Sequence, residues 1–129
     1  MHIGRLLTTS LALLCLCHSA MATDSSFNVK DFGAIGDGKA DDTAAIQAAL
    51  TKAKGAGRGS SVTMPAGEYR VTKTLTIENC LLTGLSNGGW PADAGPMPTL
   101  RVDHTDGPCI IAKNAASIHG VNFEYDHKG

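Results

Sequence analysis

The sequence predicts a mainly β fold of the solenoid kind, in which one helix near the start precedes a series of short strands. Three observations predict it. Residues 41–57 carry the only clear helical pattern, the chain after Gly59 consists of short β-rich pieces, and two of those pieces resemble each other. Stacked repeats of this kind bury a continuous core between neighbouring coils.

The first 22 residues have the features of a leader. Arg5 gives a positive start, and the apolar run at residues 11–16 is shorter than the roughly 20 residues that a membrane span needs. Residues 20–22 have the A-x-A form of a cleavage site. We therefore predict a signal peptide of residues 1–22 and a secreted or periplasmic protein. The remaining residues 23–129 are enough for one small domain at most, and we expect no membrane partner after cleavage.

The charge balance excludes some partners. The whole chain has a formal net charge of −1, and without Arg5 of the leader 10 basic residues face 12 acidic ones. No run of basic residues is present. The sequence therefore gives no reason to expect nucleic acid or an anionic membrane surface as a partner.

Two of the four cysteines remain after the leader is removed, Cys80 and Cys109. An oxidising compartment permits a disulfide between them. The alternative is two small buried residues without a bond. Both readings stay open, because the sequence does not place the two Cα atoms within bonding reach.

The segment "FNVKDF" at residues 27–32 alternates apolar and polar residues, which predicts a short strand. Gly33, Gly36 and Gly38 follow it, and "GDG" is a strong turn signal. We expect these glycines to end regular structure and to adopt backbone angles that are closed to other residues.

The segment "DDTAAIQAALTKAKGAG" predicts the helix, because its apolar residues recur at helical spacing. The expected buried face consists of Ala45, Ile46, Ala49, Leu50 and Ala53. Either aspartate at the start can bond the free amides of the first turn and complement the positive helix end. A glycine at position 55 or 57 is suited to end the helix.

Seven short pieces after Gly59 predict strands: "SVTMP", "EYRVT", "TLTIEN", "CLLTGL", "TLRVDH", "CIIAKN" and "SIHGVNFEY". Between the fourth and fifth, residues 86–98 form a loop rich in glycine and proline. "LLTGL" and "SIHGV" share the order apolar, any residue, glycine, apolar, and they start 36 residues apart. If the 13-residue loop is an insertion, the repeat is about 23 residues, which suits one coil of a solenoid.

Two longer segments carry a family resemblance. "FNVKDFGAIGDGKADDTAAIQAAL" resembles the N-terminal signature of the pectate-lyase-like superfamily, and "VTMPAGEYRVTKTLTI" resembles the segment that follows it. This superfamily of right-handed parallel β-helix proteins includes polygalacturonases, rhamnogalacturonases and pectate lyases. The resemblance is specific over residues 27–77 and looser as far as Tyr125.

The resemblance implies a right-handed parallel β-helix with an N-terminal capping α-helix. The helix would cover the first end of the solenoid, where backbone groups and apolar core are otherwise exposed. Members of the family usually carry several hundred residues, so residues 23–129 are expected to be an incomplete N-terminal portion of two or three coils. Missing C-terminal coils or another chain would complete it.

The acidic cluster does not have the pattern of a metal or catalytic site. Asp37, Asp41 and Asp42 lack the spacing of a calcium loop of the EF-hand kind. As neighbours at a helix start, Asp41 and Asp42 are not expected to act as the paired carboxylates of a glycosidase. "GAIGDG" fits neither a dinucleotide nor a P-loop motif. We therefore expect these acids to shape the turn and cap the helix.

The remaining candidates are isolated residues. His104, His119 and His127 lie on separate predicted elements without metal-ligand spacing, and Trp90 in the loop is expected to cover apolar surface rather than to stack on a sugar. The family places its catalytic residues on later coils. We therefore predict no catalytic, metal or cofactor-binding residue in this chain, and no cofactor.

The expected function follows from the resemblance. The chain would be the N-terminal segment of a secreted enzyme that cleaves an acidic polysaccharide such as pectin by hydrolysis or β-elimination. The polysaccharide would be its partner. Whether this chain is itself an enzyme stays open. The alternative is a non-catalytic β-helix that binds glycans or builds a surface, such as an adhesin.

Overall fold

The computed structural model describes residues 25–85 and 96–125. Within them the chain is mainly β, and its strands form parallel sheets. The predicted leader, most of the loop at residues 86–98 with Trp90, and His127 lie outside the described residues.

One α-helix, one short 3₁₀ helix and ten strands make up the described chain. In chain order they are β1 (Ser26–Asn28), the 3₁₀ helix (Val29–Phe32), β2 (Asp37–Asp41), α1 (Thr43–Ala56), β3 (Ser61–Pro65), β4 (Glu68–Val71), β5 (Leu75–Glu78), β6 (Leu81–Leu85), β7 (Thr99–Val102), β8 (Ile110–Lys113), β9 (Ser117–His119) and β10 (Asn122–Tyr125).

The strands form three parallel sheets, ordered β1-β3-β6-β9, β10-β7-β4-β2 and β5-β8. Because β3, β4 and β5 each join a different sheet and β6 returns to the first, the chain winds in coils that stack on one another. Thr99 of β7 is in register with Asn122 of β10, which is 23 residues later. The coil length expected from the sequence is therefore found between these two strands.

The two similar pieces stack directly. Leu81 of β6 is the register partner of Ser117 of β9. Their glycines meet as well, since a Cβ atom added to Gly84 would lie 1.8 Å from the carbonyl oxygen of Gly120. Glycine at position 84 is therefore required by the close approach of two coils.

Alternate residues of the strands point inward and form one apolar core. Tyr69 is fully buried there, and its hydroxyl donates a hydrogen bond to the Pro65 carbonyl at 2.7 Å. Desolvation raises the pKa of Tyr69 to about 12. The other fully buried strand residues are Val62, Met64, Val71, Leu75, Ile77, Leu82 and Leu100.

Helix α1 lies where the pattern predicted it. Four of the five residues expected on its inner face are buried, and Ala45 is partly buried against the core. Gly57 ends the helix, with its N–H bonded to the Lys54 carbonyl. The helix packs against β1, β3, β5 and the 3₁₀ helix. None of the described helices is both long and apolar enough to cross a membrane.

The elements that precede α1 differ from the prediction. "FNVKDF" is a strand only as far as Asn28, because the Asn28 side chain accepts the Lys30 N–H and Gly33 ends a 3₁₀ turn at a φ of 98°. Gly36 and Gly38 also have positive φ, as expected. They do not end regular structure, however, since β2 runs from Asp37 and pairs with β4 across a register shift.

"SIHGVNFEY" is likewise two strands, because Gly120 turns the chain at a φ of 66° between β9 and β10. The sequence predicted a single strand here, because apolar residues continue on both sides of the turn.

Cys80 and Cys109 are both buried and unbonded, and burial raises the pKa of each thiol. Their placement explains the missing bond. The Leu75 N–H bonds the Cys109 carbonyl, which puts Cys109 beside the start of β5, whereas Cys80 follows the end of that strand. About 13 Å of strand separates the two levels, beyond the Cα separation that a disulfide permits. Of the two readings, the structure agrees with small buried residues.

We expect Gly84→Ala to lower the free energy of unfolding by about 3 kcal/mol or more, because the added methyl forces two coils apart. Gly55→Ala is the matched control. Its Cβ meets nothing within 4 Å, and alanine in a helix is favoured by about 0.5–1 kcal/mol. Urea unfolding followed by circular dichroism measures both. Equal stabilities of the two variants would contradict the close coil contact.

Candidate functional site

The outer side of the sheet β10-β7-β4-β2 carries a group of charged residues. Tyr69 and Val71 of β4 point into the core, so the alternate residues Glu68 and Arg70 point outward. The same alternation applies to β7, where Leu100 and Val102 are buried. We define the charged face by its members, which are Asp41, Glu68, Arg70, Arg101, Asp103 and Glu124.

Two arginines occupy neighbouring coils at one register position. Arg70 of β4 is the Cα partner of Arg101 of β7, and paired strands lie about 4.8 Å apart. Like charges opposite each other destabilise a sheet. Here each arginine has its own carboxylate partner, which offsets the repulsion.

The two ion pairs differ in geometry. Arg70 donates from Nε to Asp103 Oδ2 at 2.8 Å, and its Nη2 lies 2.7 Å from the same oxygen. Arg101 Nη1 lies 3.4 Å from Glu68 Oε2, and the Glu68 side chain is 57% exposed. Exposed pairs contribute about 0–1 kcal/mol. The Arg101–Glu68 pair is therefore the longer of the two, and its carboxylate is the more exposed.

The row continues on both sides of the arginines. Asp41 of β2 is in register with Arg70, and Glu124 of β10 is in register with Arg101. The order across four strands is thus acid, base, base, acid. A ligand that lies across the strands meets one charged side chain per coil.

The acidic cluster that the sequence singled out is divided between different tasks. Asp42 is only 1% exposed, and its two carboxylate oxygens accept the N–H groups of Ile35 at 2.8 Å and Gly36 at 2.9 Å. Asp42 is the N-cap residue of α1, but its side chain makes no capping bond. Its carboxylate instead closes the glycine turn that precedes β2.

Asp41 takes the role expected of a helix cap. Its carboxylate accepts the Thr43 N–H at 3.1 Å, the Thr43 hydroxyl at 2.5 Å and the Thr72 hydroxyl at 2.7 Å. The Thr43 hydroxyl bond is the main cause that lowers the pKa of Asp41, and the bond from Thr72 adds to it.

Asp37 begins β2 and bonds the chain just after it. Its carboxylate accepts the N–H groups of Ala40 and Lys39, both at 2.9 Å, and these bonds, that of Ala40 first, lower its pKa. Within residues 25–85 and 96–125, no group of three His, Cys, Asp or Glu side chains is placed to hold a metal ion.

The histidines are not brought together. His104 follows β7, and its Nε2 atom is buried without a hydrogen-bond partner among the described residues. His119 is exposed at the end of β9, which belongs to a different sheet.

Sequence reasoning missed the two arginines of the charged face. A signal for them exists, since "YRV" in β4 and "LRV" in β7 place an arginine between two buried apolar residues. Arg70 and Arg101 are 31 residues apart rather than one regular coil length, because a loop lies between them, so the repeated pattern was not recognised.

Comparison with known proteins identifies the relatives of this chain. Residues 26–93, more than half of the chain, match the family described as rhamnogalacturonase A/epimerase, pectate lyase-like. Mannuronan C5-epimerase AlgE3 of Azotobacter vinelandii is 70% identical over 61 residues, which cover 47% of this chain and 3% of that enzyme. Alginate lyase 7 of the same organism is 65% identical over 46 residues, which cover 36% of this chain and 5% of that enzyme.

Solved structures show the same fold. The A-module of the A. vinelandii mannuronan C-5 epimerase AlgE4 superposes with a TM-score of 0.56 at 29% identity, over 75% of this chain and 28% of that one. ORF18 of Geobacillus virus E2 gives a TM-score of 0.60 at 29% identity, over 76% of this chain and 20% of that one. The chain therefore spans only a small part of the relatives that it matches.

We expect Thr43→Val to raise the pKa of Asp41 toward its ordinary value of 3.8, because the strongest donor to the carboxylate is lost. A lowered folded-state pKa means that ionised Asp41 stabilises the fold fully above pH 3.8, and that this contribution disappears as the pH falls through the folded-state value. Carbon-detected NMR titration measures the pKa. Thr43→Ser keeps the hydroxyl and is the control; a raised pKa in both variants would contradict the assignment.

Proposed function

Because this chain belongs to the rhamnogalacturonase A/epimerase, pectate lyase-like family, we propose that it forms the N-terminal part of the β-helix domain of an enzyme that modifies an acidic polysaccharide. The observation that carries the proposal is the coil stack. The part of the chain that matches the family includes β1, β2 and β5, which are the first described strands of the three parallel sheets. Relatives named mannuronan C5-epimerase and alginate lyase support an acidic polysaccharide.

The proposed substrate is mannuronan or a related polyuronate. The proton on C5 of a uronate lies α to the carboxylate, so a protein base can remove it when the negative charge of that carboxylate is neutralised. Return of the proton to the opposite face inverts C5, whereas loss of the oxygen on C4 breaks the chain. Elimination was among the reactions expected from the sequence. Epimerisation was not; it is suggested by the description of the matching family and by the names of the relatives and solved structures.

The chemistry is proposed to lie outside the described residues, on coils that stack onto the last strands. The described part would supply the start of the β-helix, with α1 covering its N-terminal end. Residues 1–22 would direct export. No described residue is assigned a catalytic role.

The charged face is the proposed place of contact with the polysaccharide. Arg70 and Arg101 present guanidinium donors on adjacent coils, and the planar fork of arginine binds carboxylates with two parallel hydrogen bonds. A polyuronate that crosses the strands would place successive carboxylates near successive coils. Because acids outnumber arginines on this face, binding would proceed by exchange of the Glu68 carboxylate rather than by a positive field.

A second candidate function is a β-helix that binds glycans without turnover. The match to ORF18 of Geobacillus virus E2, a structure whose name states no catalytic activity, is the observation that keeps this candidate beside the first.

Turnover distinguishes the two functions. The protein from the complete reading frame that contains this chain is incubated with polymannuronate; proton NMR detects inverted C5 centres, and ultraviolet absorbance detects the unsaturated product of elimination. We expect one of these signals. Binding of polymannuronate without either signal would favour the second function, and neither binding nor turnover would contradict both.

We expect Arg101→Gln to weaken oligomannuronate binding to the same protein by at least about tenfold, since a charge-assisted hydrogen bond contributes roughly 1.5–3 kcal/mol. Arg70→Gln should weaken binding less, because Arg70 is held by two close contacts to Asp103. Lys113→Gln on the sheet β5-β8 is the matched control. Isothermal titration calorimetry measures the affinities, and an equal loss in the control would remove the charged face as the contact.

A further inference from the structure

The outer face of α1 carries small uncharged residues where a surface helix ordinarily carries charged ones. Four exposed residues follow this face at intervals of three or four positions, and we call them the outer stripe: Ala44, Ala48, Thr51 and Gly55. They lie opposite the buried face of the same helix. A helix without a charged outer face is typical of one that is covered on both sides.

The outer stripe forms the floor of a groove. The groove has a volume of about 740 Å³, and Phe32 of the 3₁₀ helix lines it together with the stripe. Lys52 is the one charged residue among the described residues that line it. The groove is therefore an apolar surface along a helix rather than a polar site for a small ligand.

Contacts within the chain do not explain the glycine of the stripe. Gly55 has no positive φ, and a Cβ atom added to it would meet nothing within 4 Å. The residue that ends the helix is Gly57. Glycine inside a helix is less stable than alanine, and it is used where a second backbone comes close. Gly55 therefore suits the close approach of a backbone from outside this chain.

A second copy of α1 fits the outer stripe in an antiparallel arrangement. A two-fold axis at the middle of the helix sets Ala44 opposite Gly55 of the partner subunit, since the two positions are equally far from that axis. It sets Ala48 opposite Thr51 of the partner subunit for the same reason. Small residues then meet small residues along the whole contact. The patch is the same on both subunits, as a two-fold interface requires.

The same axis brings opposite charges together at both ends of the contact. Asp41 is exposed just before α1 and Arg58 just after it, and Arg58 has no ion-pair partner among the described residues. The axis sets the level of Asp41 opposite that of Arg58. It also places the positive start of each helix beside the negative end of the other. A parallel pair would bring like charges together, so the charges favour an antiparallel second copy.

We propose that two copies of this protein associate through the outer stripe of α1 and the adjoining Phe32. The stripe faces away from the strands against which α1 packs, so the contact does not use the charged face. A helix of 14 residues is about 20 Å long. Contact over that length is smaller than a standard interface, and the dimer is therefore a weak and reversible one.

The first test uses the protein from the complete reading frame that contains this chain, with Thr51→Arg. The added charge enters the apolar contact, whereas arginine is a better helix former than threonine and does not weaken α1 itself. We expect the unmodified protein to pass from monomer to dimer in sedimentation as its concentration rises. Thr51→Arg should stay a monomer over the same range, with a melting temperature that is not lowered.

The matched control is Thr105→Arg. It makes the same replacement at an exposed residue between β7 and β8, away from α1. We expect it to associate as the unmodified protein does. If Thr51→Arg lowers the melting temperature, Ala48→Arg replaces it under the same criteria.

Crosslinking tests the antiparallel arrangement. Ala44→Cys and Gly55→Cys are purified separately, mixed and oxidised with diamide; Cys80 and Cys109 are buried. We expect a disulfide between the two variants, because their positions lie at the same level. Neither variant should link to itself, since equivalent positions are then about 16 Å apart along the helix axis.

Three results would overturn the proposal. The first is an unmodified protein that stays a monomer at every concentration, which would leave the groove to a different partner. The second is a Thr51→Arg protein that associates as strongly as the Thr105→Arg control. The third is a mixture of the two cysteine variants that links no faster than either variant links alone.

Discussion

The structure depends on one constraint, namely that each strand edge of a coil must find partners for its main-chain groups. Between coils, parallel strand pairing meets this constraint. The close contact of Gly84 with Gly120 lets two of these coils approach each other. At the first described strand of each sheet it is met in different ways. β1 and β2 are ordinary first strands, whereas β5 begins its sheet against the amide of Gln47. One helical side chain thereby takes the place of a strand.

The position of α1 is set just before its first turn. The buried carboxylate of Asp42 binds the amides of Ile35 and Gly36, and Asp42 donates its own N–H to the Arg70 carbonyl. The turn, the helix start and β4 are therefore joined at one residue. This arrangement places α1 over β5 and leaves the outer side of the neighbouring sheet exposed, where the arginines of the charged face lie. The same local geometry thus positions the helix and the surface proposed for polysaccharide contact.

Local patterns predicted the elements whose cause is local. The helix and strands such as β3 follow from periodicity and turn residues, and the repeated glycine indicated which pieces stack. The 3₁₀ helix and β2 were missed, because a cap by Asn28 and pairing with β4 outweigh the alternation and the glycines. The charged face was missed because the register between coils decides which charged residues lie side by side. The loop inserted between β6 and β7 makes that register impossible to count from the sequence. The reading of the acids as structural agrees with the bonds of Asp41 and Asp42 to the chain itself.

The central claim is that a side chain of α1 closes the first edge of β5. A through-hydrogen-bond NMR coupling tests it most directly, measured between the amide nitrogen of Thr76 and the side-chain carbonyl carbon of Gln47. We expect a resolved coupling, together with contacts from the Gln47 amide protons to β5. A Thr76 amide without that coupling, in a chain whose β5 is paired with β8, would contradict the account.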